Sequence, residues 1–262
     1  MQSNKEAFRD YLQLEKKYSS HTVSAYLADL NCFEEFNKVR FEQEGIDFVN
    51  YSQIRSWIVS LVDQGVLNVS VNRKMASLKA FYKFLLKIKQ IEVSPMLKHK
   101  TLKTPKIVQI PFSEKEMGDF VSEDDFVEGF EGVRDRLVVE LFYTTGIRRA
   151  ELIGLMLRNV DLSSNVIKVL GKRNKERIIP LLPVVATQVS LYLRERILLE
   201  GIQDSEYFFI SKKGLKLSES FVYRLINSYF SRVSEKVKKS PHMLRHTFAT
   251  HLLNNGADLN SV

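Results

Sequence analysis

Residues in three separate segments are of the types that neutralise and protonate a phosphate group. Arg148 follows a Gly turn in TTGIRRAEL, and Glu151 comes one helical turn later. The polar turn GKRNKER supplies Lys172, and SPHMLRHTF supplies His242 and Arg245, again one turn apart. A planar guanidinium binds two phosphate oxygens at once, a lysine can protonate a leaving alkoxide, and a histidine can donate to a phosphate oxygen. Without a carboxylate cluster, this set predicts phosphoryl transfer by cationic groups.

A metal-dependent reaction fits these segments less well. Nucleases of that kind need several Asp or Glu ligands, which the segments lack. His242 and His246 have the spacing of two zinc ligands on a helix, but HMLRH lacks the Glu of H-E-x-x-H and no third ligand is evident. We therefore predict neither a metal nor another cofactor. Each residue also has an ordinary alternative: an intrahelical ion pair for Arg148 and Glu151, and simple exposure for Lys172.

The segments that carry these residues predict an α+β domain. Ser113 and Glu116 form a predicted capping box that opens it. VIKVLGKRNKERIIPL alternates on both sides of a polar turn, which predicts a β-hairpin with Lys172 at its tip. YFFI is a predicted short strand, and SKKGLK is a predicted basic turn. Apolar periodicity predicts helices over residues 133–143, 149–155, 183–199, 218–236 and 243–254.

The first hundred residues predict four helices, and the fourth, SVNRKMASLKAFYKFLLKIK, has one apolar face and one basic face. The apolar face consists of Met75, Leu78, Tyr82 and Leu85. Ala76 and Ala80 on the basic face leave room for a duplex, and a helix fits the major groove of B-form DNA. MLKHKTLKTPKIVQIP, which has no acid, is a predicted extended linker. The predicted domains are a helical domain at 1–93, a basic linker at 94–111 and a second domain at 112–262.

Positive charge is concentrated in one part of this chain of net charge +8. Ten basic residues lie between Val71 and Lys106, with Glu92 as the single acid. They are Arg73, Lys74, Lys79, Lys83, Lys87, Lys89, Lys98, Lys100, Lys103 and Lys106. Two interpretations are open: a surface that binds nucleic-acid phosphates, or a solvated helix face followed by a basic linker. Because the charge is concentrated and of one sign, we favour the first.

The remaining composition is that of a cytoplasmic protein. The single cysteine, Cys32, excludes an internal disulfide and suits a reducing compartment. No apolar run approaches the ~20 residues of a membrane span, and the polar start has no secretory signal. We therefore predict a cytoplasmic protein that binds double-stranded DNA and no membrane.

Three segments taken together carry a family resemblance. TGIRRAEL, GKRNKERIIPL and SPHMLRHTFATHLLNNGADL, in this order and spacing, resemble the catalytic boxes of the tyrosine recombinases, most of all the bacterial Xer site-specific recombinases. The resemblance covers the whole chain. It implies a mainly α fold with a small antiparallel β element, in which an N-terminal four-helix DNA-clamp domain and an α+β catalytic domain form a C-shaped clamp around DNA.

The resemblance also implies a role for each candidate residue. Arg148 and Arg245 would grip the scissile phosphate, and Lys172 would protonate the 5′ oxygen. His242 would donate a hydrogen bond to the phosphate, and Glu151 would help to hold the site together. HTVSAYLADL resembles the family's second clamp helix, with a Leu-Ala pair where an arginine pair is common. The predicted DNA contacts are Thr22, Tyr26, Arg73, Lys79, Lys83, Lys87 and Lys213.

The implied reaction cuts and rejoins DNA through a 3′-phosphotyrosyl ester, which conserves the bond energy and needs neither ATP nor metal. The attacking tyrosine belongs beyond GADL, whereas all ten tyrosines lie at or before Tyr229. We therefore expect a C-terminally shortened chain that binds DNA without cleaving it. The longer parent enzyme would form a homo- or hetero-tetramer on a DNA recombination site.

Several activities share these motifs. Xer-type resolution of chromosome dimers, which serves chromosome partition and cell division, is the activity that the resemblance favours. The integrase of a mobile element shares every motif quoted above, so it stays open. A type IB topoisomerase shares the catalytic logic, but the four-helix domain favours recombination. A non-catalytic DNA-binding regulator would have little reason to keep all four cationic residues, and chance motifs in a basic helical protein are the remaining alternative.

Overall fold

The fold is mainly helical with one small antiparallel sheet, as the sequence predicts. The computed structural model describes residues 3–105, 110–120, 126–171, 175–233 and 240–258. The chain divides into two compact units, Met1–Ile107 and Val108–Val262. Among the described residues, no helix combines the length and the apolar character of a membrane span.

The first unit contains the four predicted helices. They are α1 (Asn4–Asp10), α2 (Ser20–Phe41), α3 (Tyr51–Asp63) and α4 (Asn68–Lys87). A π-helical turn, Tyr11–Glu15, extends α1. Polar side chains cap three of the helix starts: Glu6 N donates to Ser3 Oγ and Thr22 N to Ser19 Oγ, both at 3.3 Å, and Gln53 N donates to Asn50 Oδ1 at 3.1 Å. Each cap satisfies a backbone N–H that has no partner within its helix.

Aromatic rings fill the centre of the first unit. Trp57, the single tryptophan, packs on Phe33 with 4.9 Å between ring centroids. Phe8 packs edge-on against Phe81 at 5.4 Å. The four residues predicted for the apolar face of α4 are all buried: Met75, Leu78, Tyr82 and Leu85. The prediction of that face is therefore confirmed.

A buried carboxylate, Asp29, joins α2 to α4. It is 2% exposed and accepts hydrogen bonds from Ser77 Oγ at 2.7 Å and from Lys74 Nζ at 3.1 Å. Both Nη atoms of Arg73 also donate to it, at 2.7 and 2.9 Å. Burial raises the pKa of Asp29, but the hydrogen bonds from Ser77, Arg73 and Lys74 outweigh it and hold the pKa below the ordinary 3.8. Two basic residues of α4 thus serve the fold of the first unit.

The chain that follows α4 turns back along the same helix. Asn72 exchanges two hydrogen bonds with the backbone of Leu102, both 2.9 Å long. Asn68 Nδ2 donates to the carbonyl oxygen of Lys103 at 2.8 Å. The segment predicted as a linker, residues 94–111, is therefore attached to the first unit as far as Lys103.

The second unit contains the sheet and the remaining helices of the described residues. The helices are α5 (Glu114–Phe120), α6 (Phe130–Thr145), α7 (Arg149–Ile153), α8 (Pro183–Ile197), α9 (Glu219–Val233) and α10 (Pro241–Asn254). The strands are β1 (Val160–Asp161), β2 (Val166–Leu170) and β3 (Glu176–Pro180), in the order β1-β2-β3 and antiparallel. The predicted capping box is confirmed, because Ser113 Oγ accepts from Glu116 N at 3.2 Å and Glu116 Oε2 accepts from Ser113 N at 2.7 Å.

The sheet confirms one strand prediction and corrects another. β2 and β3 pair from Val166 with Pro180 to Leu170 with Glu176, as expected for a hairpin. β1 was not predicted, because two residues are too short for periodicity to register. YFFI is not a strand: it forms only two isolated bridges, Tyr207 with Met156 and Ile210 with Lys216. Its two phenylalanines are buried in the core, so burial rather than strand pairing explains the apolar run.

Helix α6 is the central element of the second unit. Residues over more than half of its circumference are fully buried: Leu137, Val138, Val139, Leu141 and Phe142. Both α8 and α10 pack against it. A helix packed between neighbours in this way supports the turn that follows its C-terminal end.

Replacing Asp29 by Asn tests the link between α2 and α4. We expect Asp29→Asn to lower the free energy of unfolding of the first unit by about 2 kcal/mol at pH 7, because Arg73 and Lys74 lose their acceptor. Trp57 fluorescence during urea denaturation measures it. Since the folded pKa of Asp29 is lowered, its stabilisation is complete above the ordinary pKa of 3.8 and is lost as the pH falls through the folded value.

The matched control is Glu15→Gln, which breaks an exposed ion pair with Lys87. Solvent screens that pair, so little change is expected. An Asp29→Asn protein as stable as the wild type at pH 7 would contradict the role of Asp29.

Candidate functional site

Glu151 is the buried anchor of the candidate site. Its Oε2 accepts from the backbone N–H of Arg148 at 2.9 Å, which caps α7, and its Oε1 accepts from Arg148 Nη1 at 3.0 Å. From β3, Arg177 Nη1 and Nη2 donate to Oε1 and Oε2, both at 2.8 Å. The Glu151 side chain is 3% exposed. One carboxylate therefore joins the start of α7 to β3 away from solvent.

Helix α10 brings Arg245 to the C-terminal end of α6, where Arg245 Nη1 donates to the carbonyl oxygen of Gly146. Gly146 has φ 56°, and a Cβ there would lie 2.4 Å from Cδ1 of Phe248. Because glycine has no Cβ, Phe248 packs directly on the backbone and α10 approaches closely. The partial negative charge at a helix C-terminus also favours a cation in this place.

Further hydrogen bonds hold α10 against the chain that precedes α5. Phe112 N donates to Thr247 Oγ1 at 3.0 Å, and His251 Nε2 donates to the carbonyl oxygen of Phe112 at 2.8 Å. In the neutral ring, His251 Nδ1 then accepts from the hydroxyl of Tyr143 at 3.1 Å. These bonds tie α10 to α6 and to the chain before α5, so Arg245 is carried by a helix that is held on two sides.

Arg148, Arg177 and Arg245 line one cavity of about 530 Å³. Its other walls come from Thr144, Thr145, Ile178, Ile179, Pro180, Phe248 and Ala249, so none of its described lining residues is acidic. Burial lowers the pKa of Arg245, repulsion from Arg148 and Arg177 lowers it further, and Glu151 opposes both. Three guanidinium charges and one carboxylate leave two positive charges. The cavity therefore favours an anion with several oxygen atoms, such as a phosphate.

The structure brings together three of the predicted catalytic residues: Arg148, Glu151 and Arg245. His242 is exposed in the first turn of α10 and is not among the described residues that line the cavity. Lys172 lies outside the described residues. The catalytic roles of all five stay predictions.

Sequence reasoning missed Arg177. On β3 it shares a face with the buried Ile179, and it pairs with the buried Val169 of β2. A basic residue at an inward position of a predicted hairpin needs a partner, since burying an unpaired charge is costly. That alternation was the available signal, and the three other basic residues of GKRNKER obscured it.

The predicted DNA contacts on α4 differ in their surroundings. Lys79 and Lys83 are exposed, and neither makes a hydrogen bond or ion pair with the described residues. Arg73 is bound to Asp29 as described above, with half of its side chain exposed. Lys87 pairs with Glu15 at 2.5 Å. Lys79 and Lys83 are therefore the best available phosphate ligands on this helix.

The remaining predicted contacts lie on α2 and on the basic turn. Thr22 is half-buried, and its hydroxyl lies 2.9 Å from that of Ser19. Tyr26 packs edge-on against Tyr18, with ring centroids 6.1 Å apart. Lys213 is exposed in the turn after Ile210. DNA contact by these residues stays a prediction.

A four-helix unit followed by a mainly helical unit, with arginines from α7 and α10 beside a three-stranded sheet, is the architecture of a tyrosine recombinase. Residues 112–262 match the family described as "Phage integrase family", and residues 6–89 match "Phage integrase, N-terminal SAM-like domain". The chain belongs to the phage integrase family of tyrosine recombinases.

Relatives agree with this assignment. The tyrosine recombinase XerC of Chlorobaculum tepidum is 36% identical, over 97% of this chain and 83% of its own length. That of Oceanobacillus iheyensis is 35% identical, over 98% of this chain and 85% of its own length. The Tn1549 transposon integrase in complex with transposon right end DNA has a TM-score of 0.75 at 19% identity, covering 99% of this chain and 89% of that one. At that identity the likeness shows the fold alone.

Replacing Gly146 by Ala tests the close approach of α10 to α6. The methyl group would meet Phe248 and would also occupy a left-handed backbone conformation. We expect Gly146→Ala to lower the free energy of unfolding of the second unit by about 2–4 kcal/mol, measured by chemical denaturation.

The matched control is Gly201→Ala, because Gly201 has φ 69° but no atom within 4 Å of the position that a Cβ would take. This substitution carries the backbone strain without the collision, so it should cost only about 1 kcal/mol. Equal losses in the two variants would contradict the packing argument.

Proposed function

We propose that this protein is a site-specific DNA recombinase that cuts and rejoins duplex DNA through a 3′-phosphotyrosyl intermediate. The observation that carries the proposal is that Arg148 and Arg245, far apart in sequence, line one basic cavity. The names of the curated relatives, tyrosine recombinase XerC, support it. A helical domain at 1–93, a linker at 94–111 and a catalytic domain at 112–262 belong to the same proposal.

In the proposed reaction, the scissile phosphate occupies the cavity. A tyrosine oxygen forms a bond to phosphorus as the bond to the 5′ oxygen breaks, and Arg148 and Arg245 neutralise the non-bridging oxygens. Lys172 gives a proton to the leaving 5′ oxygen, and His242 donates a hydrogen bond to a non-bridging oxygen. Rejoining is the reverse attack by a 5′ hydroxyl on the phosphotyrosyl ester, so the bond energy is conserved.

The attacking tyrosine is the part of this reaction that the 262 residues do not supply in the cavity. All ten tyrosines lie within the described residues, and none of them lines it. Tyr143 precedes a lining residue, but its hydroxyl bonds His251 at 3.1 Å, and burial raises its pKa. Tyr229 is buried in the core. We infer that this chain binds DNA without cleaving it.

Two cellular uses of such a reaction differ in their DNA site. We propose Xer-type resolution of chromosome dimers in the cytoplasm, which serves chromosome partition and cell division and is carried out by a homo- or hetero-tetramer on DNA. Integration of a mobile element is the second candidate, because a transposon integrase has the same fold. A preferred DNA sequence that occurs once in the chromosome would favour the first, and one at the ends of an element would favour the second.

Charge reversal of Lys79 and Lys83 tests the proposed DNA-binding face. Random duplexes are selected for binding to the chain, and we expect a defined sequence to emerge. The Lys79→Glu/Lys83→Glu variant should bind that duplex more weakly. Its plot of log K against log salt should be shallower by about 2, since each lost phosphate contact removes about 0.9 from the slope. Fluorescence anisotropy gives both quantities.

Lys38→Glu is the matched control, an exposed charge reversal near the end of α2 and outside the basic stretch. It should leave the slope nearly unchanged. Equal slopes for the wild type and the double variant would show that this face of α4 does not contact DNA. A selection without sequence preference would favour a topoisomerase over a recombinase.

A nicked duplex of the selected sequence tests the proposed chemistry, because the cleaved end diffuses away and traps any covalent adduct. We expect no adduct on a denaturing gel, since positioning the nucleophile supplies much of the rate. Arg148→Ala and Arg245→Ala should each weaken binding of that duplex by about tenfold. An adduct mapped to any of the ten tyrosines would overturn the placement of the nucleophile, and undiminished binding by both variants would overturn the site.

A further inference from the structure

Arg177 takes no part in the reaction described above, yet it lines the same cavity as Arg148 and Arg245. Its side chain is 35% exposed. Both of its Nη atoms are bound to the oxygens of Glu151, each at 2.8 Å, so the planar guanidinium grips the carboxylate with two parallel bonds. Because these donors of Arg177 are already bound, we expect Arg177 to act through Glu151.

We propose that Arg177 is a positioning residue that fixes Glu151, and through it Arg148, for phosphate binding. This inference rests on the proposed function. Oε1 of Glu151 accepts from both arginine side chains, and Oε2 accepts from Arg177 and from the backbone N–H of Arg148. The carboxylate therefore has one orientation that satisfies all four donors, and that orientation sets the direction of the Arg148 side chain.

Arg177 also decides how much charge Arg148 presents to the cavity. Glu151 alone would neutralise Arg148, whereas two guanidiniums and one carboxylate keep one positive charge. Of the side-chain nitrogens of Arg148, Nη1 bonds to Glu151. A guanidinium has five N–H donors, and half of the Arg148 side chain is exposed. Arg148 thus keeps donors for a phosphate while its direction is fixed.

The Arg177–Glu151 contact lies beside the point where β2 ends and β3 begins. Gly171 N donates to the carbonyl oxygen of Lys175 at 2.7 Å. A Cβ on Gly171 would lie 3.5 Å from Oε1 of Glu151, so the backbone of the hairpin passes directly beside the carboxylate. Lys172 is the next residue in the chain. The contact that directs Arg148 therefore lies beside Gly171, the residue that precedes the proposed proton donor in the sequence.

A purely structural ion pair on the hairpin would stabilise the strands without affecting Arg148. Lys168 and Glu176 form such a pair at 2.7 Å, with about half of each side chain exposed. The Lys168–Glu176 pair joins β2 to β3, the strand that carries Arg177, and Lys168 is exposed whereas Arg177 is half-buried. Lys168→Ala is therefore the matched control for the loss of a hairpin ion pair.

The test uses the 262-residue chain and inorganic phosphate as the probe. The Nε–Hε NMR signals of Arg148 and Arg245 are followed during the titration, and both should shift in the wild type. Arg177→Ala should displace the Arg148 signal before phosphate is added and should lower the affinity for phosphate by about tenfold. Arg177→Lys should recover only part of this loss, because an ammonium restores the charge but not the planar grip. Lys168→Ala should bind phosphate as the wild type does.

Three results would overturn the positioning role: wild-type affinity in Arg177→Ala, full recovery in Arg177→Lys, or an equal loss in Lys168→Ala. If Arg177→Ala does not fold, the Arg177→Met/Glu151→Met variant decides, because it leaves no buried charge unpaired. Reduced phosphate affinity in that variant supports the role, and wild-type affinity refutes it. Failure of the proposed function gives a different result: in the wild type, the Nε–Hε signals of Arg148 and Arg245 would then not shift on addition of phosphate.

Discussion

The Glu151 carboxylate imposes the constraint on which the candidate site depends. A buried negative charge is tolerated only when donors surround it, and Glu151 finds four of them on two residues, Arg148 and Arg177. Those donors come from the start of α7 and from β3, so satisfying one carboxylate fixes a helix, a strand and two guanidinium groups relative to each other. The geometry of the cavity follows from that requirement.

Helix ends supply the remaining geometry. Gly146 ends α6, and Arg148 opens α7 two residues later, so both lie next to the C-terminal end of a largely buried helix. Phe248 packs on Gly146 and places Arg245 beside the same turn. The two arginines are therefore carried by packed helices, and the positive charge of the cavity is held ready before any anion arrives. In the proposed reaction, such preorganisation would favour the transition state, because little would have to reorient.

In the first unit, the fold and the proposed DNA-binding surface draw on the same basic residues. Asp29 binds Arg73 and Lys74, which leaves fewer cations of α4 for phosphates than the residue count implies. Lys79 and Lys83 remain exposed on that helix. The number of basic residues in a cluster therefore exceeds the number available to bind phosphates wherever a buried acid pairs with some of them. The sequence around Asp29, on α2, does not indicate that its partners lie on α4.

The sequence by itself determined the helices, the hairpin, the capping box and the family, because each depends on local periodicity or on short motifs with fixed spacing. It also predicted one site made of Arg148, Glu151, Lys172, His242 and Arg245, of which the structure brings Arg148, Glu151 and Arg245 together. It could not find the role of Arg177 or of Asp29, because both depend on contacts between distant segments that only folding creates. The prediction of YFFI as a strand was wrong, because an apolar run indicates burial but not whether the segment pairs with a neighbouring strand. Tertiary structure decided which charges face each other. Burying an unpaired charge is costly, so the buried carboxylates of Asp29 and Glu151 had to be placed beside basic residues from a distant segment.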